Sequence, residues 1–228
     1  MPSDNIFNTN IRVFNTSPFD KDAVWPQGIE IAMFRVPIRK KDGYDPEKIK
    51  SFANKLKANM ATNGIVFVVC YAPQEAKSRP FEVAKAFSDV GFHHIDNIII
   101  EKSWIPGKRS EVNLVNSHDY VFHFCNGDVW KIDRMPVRRY LKVPDEVSCM
   151  GNLWKVEVGS LDDAYSVDLA DLLIRLADIL PASLIFDPFG NSSALIKVAL
   201  KLGHSAWIFE KDSKKFVKYN KLIKDLSK

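Results

Sequence analysis

The sequence predicts an α/β fold with a single, mostly parallel sheet flanked by helices. Three observations lead there. Short apolar runs alternate with stretches of helical periodicity along most of the chain, the pattern of strands joined by helices. Ile65-Val66-Phe67-Val68-Val69-Cys70 is an almost unbroken apolar run, as in strands covered on both faces. Residues 184–210 read as one strand–helix–strand unit. Its first run, Leu184-Ile185-Phe186, ends in Asp187-Pro188-Phe189. A helical pattern runs from Ala194 to Gly203, and a second apolar run, Ser205 to Phe209, ends in Glu210. A carboxylate thus stands at the tip of each strand, where open α/β sheets bind their ligands.

The other elements follow in order. Ile11 to Phe14 reads as a short strand, and Ile29 to Phe34 as a second one, separated by a Ser17-Pro18 turn. A polar loop, Arg39 to Gly43, precedes a helix that starts near Asp45-Pro46 and repeats Ile49, Phe52, Ala53 and Leu56 at helical spacing. Asn63-Gly64 is a turn signal before the run 65–70. Phe81 to Val90 reads as a helix ending at Gly91, and Ile95 to Glu101 as a strand. Ile105 to Asn116 is polar and basic, the composition of a loop. Tyr120 to Cys125 is a strand closed by the Asn126-Gly127 turn. Residues 128–158 read as irregular, interrupted by Pro136 and Pro144. Val167 to Leu180 is an amphipathic helix with Leu169, Leu172, Leu173 and Leu176 on one side, and a basic helix from Lys214 to Leu226 follows the opening unit.

Composition sets limits. The chain has 228 residues, 46% hydrophobic and 26% charged, which suits one domain with a full sheet core. A net charge of +4 permits contact with nucleic acid without requiring it. The three cysteines are far apart, and Cys70 and Cys125 sit in apolar runs, so buried, reduced thiols and a cytoplasmic setting are expected. The polar start, Met1 to Asn5, does not read as a signal peptide. No apolar run approaches the ~20 residues needed to span a bilayer.

The ordered set of pieces resembles the DNA amino-methyltransferases, in the permuted class whose catalytic region precedes the cofactor loop. Asn116 to Phe124 resembles the family's strand between catalytic region and target-recognition insert, and Ser166 to Ala177 its helix before the cofactor loop. Asp187-Pro188-Phe189 and Trp207-Ile208-Phe209-Glu210 resemble its cofactor-binding pair. The resemblance covers most of the chain and implies one methyltransferase-like domain over 1–228, of the Rossmann-like type that binds S-adenosylmethionine, with 128–158 as a small target-recognition insert. It implies that Asp187, Phe189, Gly190, Asn191, Ser192 and Glu210 bind the cofactor. Glu210 would accept hydrogen bonds from the ribose hydroxyls, strengthened by its charge. DNA is the implied substrate, methylated on the exocyclic amine of a flipped adenine or cytosine.

Three departures set this chain apart from the family pattern. In the cofactor loop, Asn191 and Ser193 stand where glycines are usual, and Gly190 comes one place early. Leu161 to Ser166 lacks the His-Pro lead of the following helix. Where an acid or amide should begin the catalytic tetrad, the chain reads Arg35-Val36-Pro37-Ile38, and only Pro37 matches. Arginine is donor-only, so it cannot accept the amine's hydrogen bonds, and its charge opposes the one that develops on nitrogen. Ser17-Pro18-Phe19 offers a substitute, with Ser17 as the polar residue and Phe19 as the stacking ring. Two functions therefore follow: an amino-methyltransferase using Ser17, Phe19 and Pro37, or a catalytically inactive homologue. The latter would bind DNA, pair with an active methyltransferase subunit, or form a homodimer.

The basic residues Arg134, Arg138, Arg139 and Lys142, with Trp130, Tyr140 and Trp154 nearby, suit contact with nucleic-acid phosphates and bases. The lysines from Lys211 to Lys228 read as one exposed helical face. His93-His94 are adjacent with no acid or cysteine at ligand spacing, and His118 and His123, five apart on or near a strand, point to opposite faces, so no metal site is expected.

Overall fold

The computed structural model describes residues 10–37, 44–71, 76–101, 117–147, 149–156, 164–190 and 193–226. The first elements are β1 (Ile11–Phe14), β2 (Ile29–Arg35), α1 (Pro46–Asn59), β3 (Met60–Tyr71) and α2 (Arg79–Asp89). Then come β4 (His93–Glu101), β5 (His118–Cys125), α3 (Met135–Tyr140) and β6 (Leu153–Lys155). The chain closes with α4 (Val167–Leu176), β7 (Leu184–Asp187), α5 (Ala194–Leu202), β8 (Ser205–Phe209) and α6 (Ser213–Leu226). The eight strands form one sheet in the order β1-β8-β7-β2-β3-β5-β4-β6. Only β5 runs against its neighbours, β3 and β4; every other pairing is parallel.

Local chemistry starts and stops the helices. Asp45 caps α1 by accepting from the N–H groups of Glu47 and Lys48, and Pro46 occupies the first turn at no cost. The Ser166 hydroxyl caps α4 by accepting from Leu169 N. Gly203 ends α5 in the left-handed region at φ 75°.

Side chains of β2 and β3 alternate between two cores. Ile31, Met33, Ile65, Phe67 and Val69 share one core with Leu169, Leu172 and Leu173 of α4, Leu195 and Val198 of α5, and Tyr219 of α6. Ala32, Phe34, Val66, Val68 and Cys70 share the other with Ile49, Phe52 and Leu56 of α1 and Val83 and Phe87 of α2. This two-sided burial is what the unbroken run 65–70 requires.

Three expectations are corrected. Asn63-Gly64 does not reverse the chain. It forms a bulge inside β3, where pairing jumps from Ile29–Met60 to Ile31–Ile65 and Asn63 takes φ 61°. A Cβ on Gly64 would lie 2.8 Å from the Ile29 carbonyl oxygen, so the close approach of β2 selects glycine. The second turn signal, Asn126-Gly127, meets this bulge: Asn63 N donates to Asn126 O and Asn126 N to Gly64 O, each at 2.8 Å. Residues 128–158 are not wholly irregular, because they supply α3 and the edge strand β6. Pro136 lies in the first turn of α3, where a proline does not break a helix. The helix expected to reach Leu180 ends at Leu176, and Asp178 and Ala182 take positive φ beyond it. The loops expected at Arg39–Gly43 and Ile105–Asn116 lie outside the described residues.

Connections leave the sheet in opposite directions at its centre. β7 passes through α5 to β8 on one side, and β2 passes through α1 to β3 on the other. The switch point therefore lies between β7 and β2, and a crevice opens beyond their carboxyl ends. Asp187 ends the first of these strands and Arg35 the second.

Phe34 is fully buried in the second core, with ring centroids of Phe52, Phe87 and Phe189 at 5.4, 6.2 and 5.6 Å. Phe34→Ala is expected to cost about 3–5 kcal/mol of unfolding free energy. Urea denaturation followed by circular dichroism measures it, and a loss below about 1 kcal/mol would contradict the assignment.

Candidate cofactor site

Asp187 is fully buried at the tip of β7. Its Oδ1 accepts from Phe189 N at 3.0 Å and Gly190 N at 2.9 Å, and its Oδ2 accepts from the Tyr165 hydroxyl at 3.2 Å. Burial pushes the carboxyl well above the usual range. These hydrogen bonds oppose that shift, and the charge of Glu210 adds to it. The Tyr165 hydroxyl also lies 3.5 Å from the Met33 carbonyl oxygen, so one phenol joins β7, β2 and the start of α4. Tyr165 is not among the residues that the sequence singles out. The one usable signal is the neighbouring cap at Ser166, which fixes where α4 begins and so where Tyr165 approaches the sheet.

The turn after Asp187 is shaped by Gly190, at φ +57°. A Cβ there would lie 2.7 Å from Glu210 Oε2 and 2.8 Å from the Phe209 carbonyl oxygen. The glycine comes early in the loop because this is where the turn of β7 presses against the tip of β8. Asn191 and Ser192 lie outside the described residues.

Glu210 is 1% exposed. Its N–H donates to Phe14 O at 2.9 Å, and its carbonyl accepts from Asn15 Nδ2 at 2.9 Å. Its carboxylate accepts from Asp212 N at 2.9 Å through Oε1. The tips of β1, β8 and β7 are thereby joined into one rim with two buried carboxylates. Such a rim offers acceptors to a ligand that carries hydroxyls and positive charge, and S-adenosylmethionine has both.

An aromatic group lines the other side of the Asp187 turn. The Phe189 ring centroid lies 5.0 Å from Phe52 and 5.9 Å from Phe19, and Phe19 is 45% exposed. Asp20 holds the Ser17 turn, accepting from Ser17 N at 2.7 Å and from the Thr16 hydroxyl at 3.0 Å. Ser17 Oγ accepts from Phe19 N at 3.3 Å. The described contacts thus join Ser17 and Phe19 to the Phe189 turn and not to Pro37, which is half-buried two residues beyond β2. Arg35 is also half-buried. Its guanidinium lies 5.6 Å over the Tyr71 ring, and it donates no hydrogen bond to any described residue.

The basic group expected to meet nucleic acid is spread along α3. Asp133 N donates to Leu176 O at the end of α4, and the Tyr140 hydroxyl donates to Asp168 Oδ2 at its start, 3.0 Å away. α3 therefore runs opposite to α4, with Arg139 and Lys142 toward the rim and Arg134 away from it. Arg134, Arg139 and Lys142 are exposed, whereas Arg138 is half-buried and donates to Pro144 O at 3.0 Å. Two aromatics grouped with this cluster are not free to stack on bases: Trp154 is 1% exposed, and Trp130 packs against the core and His93. Among the described residues, no group of three or more His, Cys, Asp or Glu could hold a metal ion. None of the described helices is long and apolar enough to cross a membrane.

Comparison with known proteins agrees with this architecture. The cytosine-N4-specific PvuII DNA methyltransferase shares the fold at a TM-score of 0.67 and 15% identity, over 96% of this chain and 94% of that one. TTHA0409 of Thermus thermophilus, assigned as a DNA modification methylase and solved with S-adenosyl-L-methionine, gives 0.67 at 14% identity over 94% and 92% of the two chains. The M1.HpyAVI complex with the same cofactor gives 0.66 at 14% identity over 93% and 98%. No curated protein sequence matches the chain significantly. The family model for DNA methylases of the N6 and N4 type matches residues 40–221, most of the chain, and the chain belongs to that DNA methylase family.

Proposed function

We propose that this chain binds S-adenosylmethionine across the tips of β7 and β8 and acts at DNA without methylating an exocyclic amine. Bound there, the cofactor would supply an electrophilic methyl group. Glu210 would accept hydrogen bonds from its ribose hydroxyls, and Asp187 would face its positively charged methionine end. Phe189 and Phe19 would flank its adenine, beside Ser17, and Asn191 and Ser192 would complete the turn after Gly190. The pairing of buried carboxylates with an exposed ring at this rim supports the assignment.

One observation carries the absence of amine transfer: Arg35 ends the strand beside Asp187, where an amine would need an acceptor. A guanidinium has five N–H donors and no acceptor, and it disfavours positive charge developing on an attacking nitrogen. Arg134, Arg139 and Lys142, with Arg138 behind them, would contact DNA phosphates along α3. The role left for the chain is that of a DNA-binding member, acting alone, as a homodimer or with an active methyltransferase subunit. A second reading, a working amino-methyltransferase, is favoured by the exposed Phe19 ring, which would serve as a base platform with Ser17 and Pro37.

Incubation with unmethylated DNA and cofactor labelled in its methyl group separates the two readings. No label above the protein-free control is expected in adenine or cytosine; incorporation that disappears in Phe19→Ala would establish the second reading. Cofactor affinity is expected to depend on pH through Asp187. Its carboxyl lies well above the usual range, so it holds a proton at acidic pH and attracts no cation until it ionises. Affinity should climb by up to about tenfold per pH unit as pH rises toward that carboxyl's pKa, and level off above it. Calorimetric titrations at several pH values measure this, and a slope that persists in Asp187→Asn would assign it elsewhere. For DNA, exchanging Arg134, Arg139 and Lys142 together for Gln should reduce the slope of log affinity against log salt by about 2–3. An unchanged slope in fluorescence anisotropy would remove α3 from the interface.

A further inference from the structure

We infer that Arg35 is the recognition point of an oxyanion site at the tips of β2 and β3, beside the rim formed by β7 and β8. Arg35 ends β2 across from Val69, two residues short of Tyr71 on β3. Its guanidinium lies over the Tyr71 ring at 5.6 Å, toward β3 and away from β7. A guanidinium over a ring face keeps its N–H groups able to donate to a further ligand.

These N–H groups have no acceptor among the described residues. Asp187 accepts instead from Phe189 N, Gly190 N and the Tyr165 hydroxyl. A half-buried guanidinium has given up part of its hydration, so a ligand with two coplanar oxygens gains a charge-assisted, bidentate pair there. The location adds to this, since the crevice beyond the switch point is where such sheets take ligands. In a family whose substrates present an amine, this chain offers donors at the corresponding strand tip.

The shared chemistry is an oxyanion, and two sources carry it. One is a phosphate of a nucleotide or of DNA. The other is the α-carboxylate of S-adenosylmethionine, and this source alone rests on the cofactor reading above. Calorimetric titration of the full chain distinguishes them with two probe pairs: deoxyadenosine 5′-monophosphate against deoxyadenosine, and S-adenosylmethionine against its decarboxylated form. In at least one pair the oxyanion-bearing member should bind about tenfold more tightly or better, a difference that disappears in Arg35→Gln. Arg35→Lys should keep only part of it, because an ammonium lacks the planar fork. Circular dichroism of each variant verifies the fold. No preference in either pair, or a preference that survives in Arg35→Gln, overturns the site. Failure of S-adenosylmethionine to bind, with an Arg35-dependent preference for the monophosphate, would retain the site and remove the cofactor reading. Cofactor binding that is indifferent to Arg35, with no phosphate preference, would do the reverse.

Discussion

A carboxylate without exposed surface must be held by donors or lose its charge, because isolated buried charge costs more than a fold can supply. At Asp187 burial prevails and raises the carboxyl well above the usual range, while two backbone N–H groups of the turn that follows it and the Tyr165 phenol oppose that shift. Much of the rim follows from those three bonds. The backbone donors fold the chain back at Phe189 and Gly190, and Gly190 brings it against the Glu210 carboxylate. The phenol of Tyr165 fixes the first turn of α4 against β2 through the Met33 carbonyl. Glu210 in turn is tied to β1 through Phe14 and Asn15. Two buried acids thus join the tips of four strands.

The rim is polarised by what surrounds it. Carboxylates stand over β7 and β8, and a guanidinium stands over β2 and β3. Beneath the turn, Phe19, Phe34, Phe52 and Phe189 form a continuous aromatic layer with Trp25, whose ring centroid lies 5.8 Å from Phe52 and 5.1 Å from Phe186. This layer lies against the Asp187 turn through Phe189. In the proposed binding mode, the cationic end of a ligand would meet one half of the crevice and the anionic end the other.

Much of this was legible in the sequence because it is written locally. The run 65–70, the cap at Asp45, the leucines of α4 and the Asp187–Glu210 unit each state their structure within a short stretch of chain. What was not legible depends on partners far along the chain. Asn63-Gly64 has the chemistry of a hairpin turn, but β2 and the Asn126 turn convert it to a bulge. Trp154 stands among basic residues and is nevertheless core, since β6 joins the sheet edge beside β4. Tyr165 has no local signature, because its role is set by Asp187, 22 residues on. Ser17 and Phe19 offer a local likeness to a catalytic tetrad, and long-range aromatic packing draws them to Phe189. Family membership was legible from the ordered motifs; the chemistry at the β2 tip required the position of Arg35 against Tyr71.

The central claim is that the Asp187–Gly190–Glu210 rim is a working cofactor cradle although its loop departs from the family pattern. Titration calorimetry of the purified chain with S-adenosylmethionine, beside Glu210→Ala, tests it most directly. The account predicts saturable binding at one site in the wild type, weakened at least about tenfold in the variant as charge-assisted bonds to the ribose are lost. Absence of binding to the wild type at millimolar cofactor, or equal affinity in Glu210→Ala, would contradict it.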